Sequence, residues 1–472
     1  MKTLIGLEIH VELSTKTKMF CSCKNEFGKP ANTNVCEICL GHPGTLPKIN
    51  KRAVEYAVKA GLALSTSINK KSRMDRKKYF YSDLVKGFQI SQDEIPLCRD
   101  GYIEIGPYGN KKKIRIQRIH IEEDTGKSLH TEEGETLMDY NRSGVPLIEI
   151  VTYPDISSKE EAREFLTILK QTLKYIGVSD VKMEEGSLRC DVNINLVDGD
   201  RKTGIAEIKN INSFKAVQKA IAFEEKRQKE FLEKGIVEVK QTRRWDDLLG
   251  ETKLMRTKEE KDDYRYSYEG DLGELELSDE FIENIRKNLP ELPGERLVRF
   301  IKDYGLSEYD ADIISKDLNI SRYFEETLDL TKDSKRTANW IISDVLRNLN
   351  ENEMESDELK FTSKNLATLI NYVKEDKVNT NTAKKLLKEF FLEDVDIEKV
   401  IKERGLIQIQ DEDFLLKIVE EVLAENEQSI IDYKNGKDRA LGFLVGMCMK
   451  KSKGKGNPVK FNEIILKKLE EA

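Results

Sequence analysis

The sequence predicts an α+β protein: an N-terminal catalytic domain built on an antiparallel sheet, followed by an all-α helical half that ends in a small basic tail. Three observations carry this reading. Apolar and polar residues alternate with period two in several stretches before about residue 275; strong helices there are few; and beyond about 276 the periodicity is almost wholly helical. A chain of 472 residues is also too long for one core. We expect domains at 1–290, 291–405 and 406–472.

Strands are expected at 4–13, 102–106, 112–124, 146–152, 187–197 and 204–210, with the alternation of a sheet covered on one face and open on the other. In GLEIHVEL (6–13), Leu7, Ile9, Val11 and Leu13 take one face and Glu8, His10 and Glu12 the other. In RIHIEED, His120, Glu122 and Asp124 share a side after a phase slip near Gln117 and Arg118 that a β-bulge would explain. PLIEIV sets Glu149 in an apolar strand. SLRCDVNINL alternates Arg189, Asp191, Asn193 and Asn195 against apolar neighbours, and AEIKN adds Glu207 and Lys209. A helix over 158–176 carries a Ser158/Glu161 capping box, a stripe of Ala162, Phe165, Leu166, Leu169, Leu173 and Ile176, and Gly177 as its stop. LPELPGERLVRF (289–300) reads as a connector, and KKSKGKGNPVK (450–460), broken by glycines and a proline, as a basic loop.

Composition excludes some classes. The longest apolar run near the C-terminus, Ala440 to Met449, is far too short to span a bilayer, and the first residues lack the apolar core of a signal peptide, so a cytoplasmic protein is expected. The net charge of −7 hides an asymmetry: residues 431–472 hold ten Lys and Arg against five Asp and Glu, which suits a polyanion contact.

The open face carries the chemistry. Short carboxylates and imidazoles crowded together repel unless a cation lies between them, although any one such strand face could simply be solvated. Glu149 is the sharpest case, since an unpaired carboxylate among Leu147, Ile148, Ile150 and Val151 costs several kcal/mol of desolvation. Oxygen-rich ligands suit Mg²⁺, whose open positions usually take nucleotide phosphates, which points to phosphoryl transfer. The site is not a P-loop, because TGKS (125–128) has Ile121 where the motif needs glycine. DRKKYFYSDLVKGFQISQ (75–92) interleaves basic and aromatic groups, either to bind nucleotide or RNA or as a loop with its aromatics in the core. Cys21, Cys23, Cys36 and Cys39 have zinc-knuckle spacing and should form a structural Zn²⁺ site, with His42 as a possible stand-in; reduced thiols without metal are the alternative.

GLEIHVEL, DRKKYFYSDLVKGFQISQ, HIEEDTGKS, DYNRSGVPLIEIV, GVSDVKMEEGSLRCDVNI, EIKNINSF, DDYRY, LPELPGERLVRF, ANW (338–340) and YKNGKDRALGFLVGMCMKKSKGKGNP occur in order from residue 4 to the last helix. Together they resemble the B subunits of the aspartyl/glutamyl-tRNA amidotransferases. The resemblance implies a first domain similar to the glutamine synthetase core. It also implies a heterotrimer completed by an amidase subunit and a small third subunit. That enzyme converts Glu-tRNA(Gln) or Asp-tRNA(Asn) to its amide, phosphorylating the side-chain carboxylate with ATP and Mg²⁺ and taking ammonia through an internal passage. Carried over, Glu8, His10 and Glu149 with a HIEED carboxylate surround Mg²⁺ and the phosphates; alternation favours Glu122, and the bulge leaves Glu123 open. Arg189, Asp191, Glu207 and Lys209 belong to the nucleotide site, Lys77 lies near the ammonia route, and Lys450, Lys451, Lys453, Lys455 and Lys460 offer contacts to tRNA phosphates. The chain departs from the family pattern at SYEGDLGE (267–274). It shows no amidase nucleophile arrangement. A zinc-containing, non-catalytic tRNA scaffold and a free-standing ligase of small amino acids are the competing readings.

Overall fold

In the N-terminal strand, Ile5, Leu7, Ile9 and Val11 are buried while Glu8, His10 and Glu12 stay half-buried on the opposite side, so the alternation decides which face of the sheet is covered. The computed structural model describes all residues except 132, 237, 258–263, 409–411, 435, 436, 438, 453–455 and 472. The chain divides into two compact units, Met1–Leu292 and Pro293–Ala472.

The first unit is organised by a ten-stranded sheet. Its principal strands are β1 (Lys2–Glu12), then, after α1 (Lys51–Ala63) and the small-sheet strands β2 (Asp75–Lys78) and β3 (Phe88–Ser91), β4 (Cys98–Ile105), β5 (Lys112–Glu123) and β6 (Pro146–Thr152). Then follow α2 (Lys159–Tyr175), β7 (Leu188–Asp198), β8 (Ala206–Lys209), α3 (Phe214–Glu233), β9 (Gln241–Asp246) and β10 (Glu251–Thr257). The spatial order is β10-β9-β8-β7-β1-β6-β5-β4, continued by the short strand Ser67–Ile68. β1 therefore lies in the middle, paired antiparallel with β6 on one side and β7 on the other.

The sheet is mixed rather than purely antiparallel, because β8 and β9 run parallel. That pair requires a crossover, and α3 supplies it. β9 and β10 lie outside the expected strands; QTRRWD and ETKLMRT carry too many charges for their alternation to stand out. The expected bulge is present: Val151 pairs with Arg118 but Thr152 with Ile116, which leaves Gln117 extra.

Helices α1, α2 and α3 cover one face. Val54, Phe165, Leu169 and Ile221 join Ile5, Ile9, Ile121, Ile148 and Val192 in a single core cluster. In α2 the Ser158 hydroxyl accepts the Glu161 amide at 3.1 Å. The reciprocal half of the capping box is shifted, since the Glu161 carboxylate accepts from the Ser157 amide at 2.8 Å. The opposite face of the sheet stays open.

The second unit is helical, from Pro293–Tyr304 to Pro458–Glu471. The expected connector is helix from Pro293 onward, with proline at the first helical position, where its missing N–H is harmless. Two separate apolar clusters hold this unit, one running from Phe300 to Ile401 and one from Leu415 to Leu469. The ANW motif ends in Trp340, after which Ile341–Val345 form a π-helical turn; buried Asp344 there is 3.0 Å from both Arg347 and Lys384. Among the described residues no helix is long and apolar enough to cross a membrane.

Candidate functional site

The open face of the sheet floors a cavity of about 790 Å³, walled on one side by β2, β3 and Tyr264 and Tyr266. Strand register sets the floor. His120, Glu149, His10 and Arg189 stand directly opposite one another on β5, β6, β1 and β7, and two residues along, Glu8 faces Asp191.

Two ligand sets emerge where one quartet was expected. His10, Glu122 and Glu149 bring one ligand atom each within 4.8 Å of one another, and Glu8 instead joins Asp191 and Glu207 in a second group of the same span. In the first, His10 Nε2 is 3.3 Å from Glu122 and 3.7 Å from Glu149, while His120 Nε2 is 3.5 Å and 3.1 Å from the same two carboxylates. The Ser91 hydroxyl donates to Glu122 at 3.0 Å. In the second, the Asn193 amide donates to Glu8 at 2.8 Å, and Lys209 Nζ lies 2.6 Å from Asp191 and 2.7 Å from Glu207.

Electrostatics follow the packing. Burial alone would lower the pKa of His10, but Glu149 and Glu122 outweigh it and raise the imidazole to about 9. Burial would raise Glu149, yet His120 and His10 pull it down to about 2. Glu8 shifts the other way. Burial, then Glu149 and Glu207, push its carboxyl up against a smaller pull from Lys209. The donor chemistry of both sets, five carboxylates and one imidazole, fits hard divalent cations such as Mg²⁺ or Mn²⁺.

The other expected residues sort as follows. Lys77 lines the cavity, its ammonium 4.8 Å from the Tyr264 ring centroid. Arg189 also lines it but is paired with Asp124, so its charge is largely matched within the protein. Glu123 does not belong to the cavity. It is buried on the other side of β5, where Lys86 pairs with it and the Ile90 amide donates at 3.0 Å, so alternation rather than the bulge decides between Glu122 and Glu123. Lys450, Lys451 and Lys460 lie in helices rather than in a loop, and Lys451 is 3.0 Å from Glu421 and 2.7 Å from Glu425; Lys453 and Lys455 lie outside the described residues. The divergent 267–274 stretch adds Ser267–Tyr268 to the edge of β2, and buried Glu269 there takes both arms of Arg76 at 2.7 Å.

The four cysteines converge as expected, their sulfurs all within 4.8 Å, and His42 is not part of the group. The Cys36 amide donates to Cys39 Sγ at 3.1 Å. Lys18, fully buried, sends its ammonium to the Asn34 carbonyl at 2.9 Å and to Cys39 Sγ at 3.6 Å. The Cys39 thiol is lowered to about 5, chiefly by the Cys21 hydrogen bond, a thiolate ready for Zn²⁺. Sequence reasoning missed Lys18, Ser91 and Arg118 as parts of these sites, and noted His120 and Asn193 only as neighbours on the face. His120 and Asn193 carried a signal, their spacing from Glu122 and Asp191; Ser91 and Arg118 take their places through strand pairing, and Lys18 through a loop, that no local pattern reveals.

Comparison with known proteins agrees along nearly the whole chain. Residues 3–283 match the GatB/GatE catalytic domain and residues 322–469 the GatB domain. The chain is 57% identical over 471 residues to the B subunit of the aspartyl/glutamyl-tRNA(Asn/Gln) amidotransferase of Finegoldia magna, covering 99% of this chain and 100% of that protein. It is 51% identical over 467 residues to the protein of the same name from Clostridium botulinum strain Hall, covering 98% of each.

Proposed function

The chain belongs to the family of aspartyl/glutamyl-tRNA(Asn/Gln) amidotransferase B subunits, and on that premise we propose that its open-face cavity is where ATP activates the side-chain carboxylate of a misacylated tRNA for amidation. The enzyme is a ligase of protein biosynthesis that turns misacylated Glu-tRNA(Gln) or Asp-tRNA(Asn) into Gln-tRNA(Gln) or Asn-tRNA(Asn). The observation that carries the site assignment is the pair of ligand sets, His10/Glu122/Glu149 and Glu8/Asp191/Glu207, on one floor.

His10, Glu122 and Glu149 would hold one divalent cation and Glu8, Asp191 and Glu207 a second. Mg²⁺ bound there supplies charge neutralisation for the phosphates of ATP. Ser91 and Asn193 fix Glu122 and Glu8 in place for that role, and Lys209, held between Asp191 and Glu207, adds a positive charge at the nucleotide end. A substrate carboxylate oxygen attacks the γ-phosphorus, and the bond to the β-phosphate oxygen breaks as ADP leaves. Ammonia then forms the C–N bond and phosphate departs. A carboxylate-lined sheet of this kind is also the basis for likening residues 1–290 to the glutamine synthetase core.

The further assignments rest on the same reading. An amidase subunit and a small third subunit complete the enzyme, and Lys77 stands beside the path by which ammonia enters. Residues 291–405 form a helical domain, while 406–472 contact tRNA through exposed Lys450 and Lys451 and half-buried Lys460. The cytoplasm, where aminoacyl-tRNA is made, is the expected compartment. Zn²⁺ on the four cysteines would brace the loop beside β1.

A zinc-dependent tRNA scaffold would have no use for six converging ligands, so catalysis is the better reading. Labelled phosphate release by the assembled enzyme with Glu-tRNA(Gln), free glutamate or neither tests it. Release only with the charged tRNA is expected; none with any of the three would refute it, and release with free glutamate would reassign the protein to small amino acids.

A further inference from the structure

Arg118 is delivered to the cavity by the extra residue in β5. Ile114 and Ile116 before the bulge and Ile119 and Ile121 after it are all buried in the core, so regular pairing through Gln117, with no bulge, would send Arg118, His120 and Glu122 into the apolar layer. With it, Gln117 and Arg118 both line the cavity.

Arg118 is also held less tightly than its neighbours. Arg189 is engaged by Asp124, and Lys209 sits within 2.7 Å of two carboxylates. Among the described residues Arg118 has its ion-pair partner in Asp93, at 3.9 Å, beyond hydrogen-bond range, and its Nε is buried without a hydrogen-bond partner. A buried, unused guanidinium donor beside a polar cavity fits a planar anion that offers two oxygens.

Position in the sheet says which anion. Glu207 and Lys209 are on β8, four strands from β5 in the order β8-β7-β1-β6-β5, a span of about 19 Å at ~4.8 Å per strand. Of the cation set, His10 on β1 and Glu149 on β6 lie between these ends, and Glu122 shares β5 with Arg118. Arg118 therefore stands beside the metal set, at the opposite end of the floor from Glu207 and Lys209, near Tyr266 and Lys77.

We propose that Arg118 binds the side-chain carboxylate of the amino acid carried on the tRNA, and the phosphoryl group once it is attached there. This rests on the phosphoryl-transfer reading of the cavity. The test compares Arg118→Ala and Arg118→Lys with the unmodified chain in the assembled amidotransferase, measuring KM and kcat for Glu-tRNA(Gln) and for ATP. In Arg118→Ala we expect kcat/KM for the charged tRNA to fall about 30-fold or more, the scale of a lost charge-assisted fork, while KM for ATP moves less than about twofold. Arg118→Lys, which keeps the charge but not the fork, should recover part of the loss, and affinity for deacylated tRNA should not change. Unmodified kinetics in Arg118→Ala, or a rise in KM for ATP as large as that for the tRNA, would overturn the assignment of Arg118 alone. Absence of tRNA-dependent ATP cleavage before any substitution would overturn the reading of the cavity and this inference with it.

Discussion

His120 Nε2 lies 3.1 Å from Glu149 Oε2, the shortest of the four imidazole–carboxylate separations on the cavity floor. Glu149 is thus kept charged by imidazoles on both neighbouring strands, from His120 on β5 and His10 on β1. A buried carboxylate so prepared loses little on meeting a cation, since its desolvation is already compensated.

Removing either anchor of the ligand sets should stop catalysis and spare assembly. Glu149→Ala and Glu8→Ala are each expected to reduce tRNA-dependent ATP cleavage at least ~100-fold, with tRNA affinity within about twofold of the unmodified enzyme. Phosphate release and filter binding measure the two quantities; normal turnover in both variants would remove the floor from the mechanism.

Metal affinity should rise with pH. Only neutral His10 can ligate, and with its pKa at about 9 the free protein carries the proton at neutrality. Apparent Mn²⁺ affinity, read by the paramagnetic resonance of unbound ion, should climb up to about tenfold per unit between pH 7 and 9 and level off above. The stability of the metal-free protein runs the other way. His10, raised from 6.5, contributes stability fully present below about 6.5 and lost as pH rises through 9. Glu149, lowered from 4.5, contributes stability present above about 4.5 and lost as pH falls toward 2.

The two ligand sets should be separable. A titration with Mn²⁺ and ATP should find two ions, of which His10→Ala eliminates one and Asp191→Asn the other. Loss of both ions from either substitution would mean that the six residues act as a single site.

Zinc should brace the N-terminal unit. The Ser143 hydroxyl donates to the Cys39 carbonyl at 2.9 Å, and the next amide, Gly144, donates to the Asp124 carbonyl at 2.9 Å, so the cysteine loop is tied to the end of β5. Cys39→Ser is expected to abolish bound zinc by atomic absorption and to lower the melting temperature by about 5–10 °C. Undiminished zinc, or an unchanged melting curve, would contradict a structural role.

Much of this site is legible in the sequence, and the reason is local. One face of β1, β5, β6 and β7 had to be apolar to pack on helices, so the other face was defined by subtraction, and Glu8, His10, Glu122, Glu149 and Asp191 followed. What stayed hidden depends on pairing at long range. Glu8 parts from His10 because Asp191 and Glu207 meet it across β7 and β8, and no period within GLEIHVEL records that. Similarly, Lys209 pairs with Asp191, and Lys451 with Glu421 and Glu425, through contacts between separate elements. The parallel pairing of β8 with β9 escaped because β9, QTRRWD, carries too many charges for its alternation to stand out.

The central place of β1 bears on how the chain is made. Glu8 finds its partners at Val151 and Asp191, so the first strand to leave the ribosome has no neighbours until some 140 to 185 further residues have been synthesised. At ~5–20 residues per second that leaves an apolar strand edge unsatisfied for roughly 10–40 s. Nascent-chain shielding of Ile5 to Val11 by a chaperone, or slow elongation through the first two hundred codons, should therefore govern the yield of active protein more than the stability of the finished fold does.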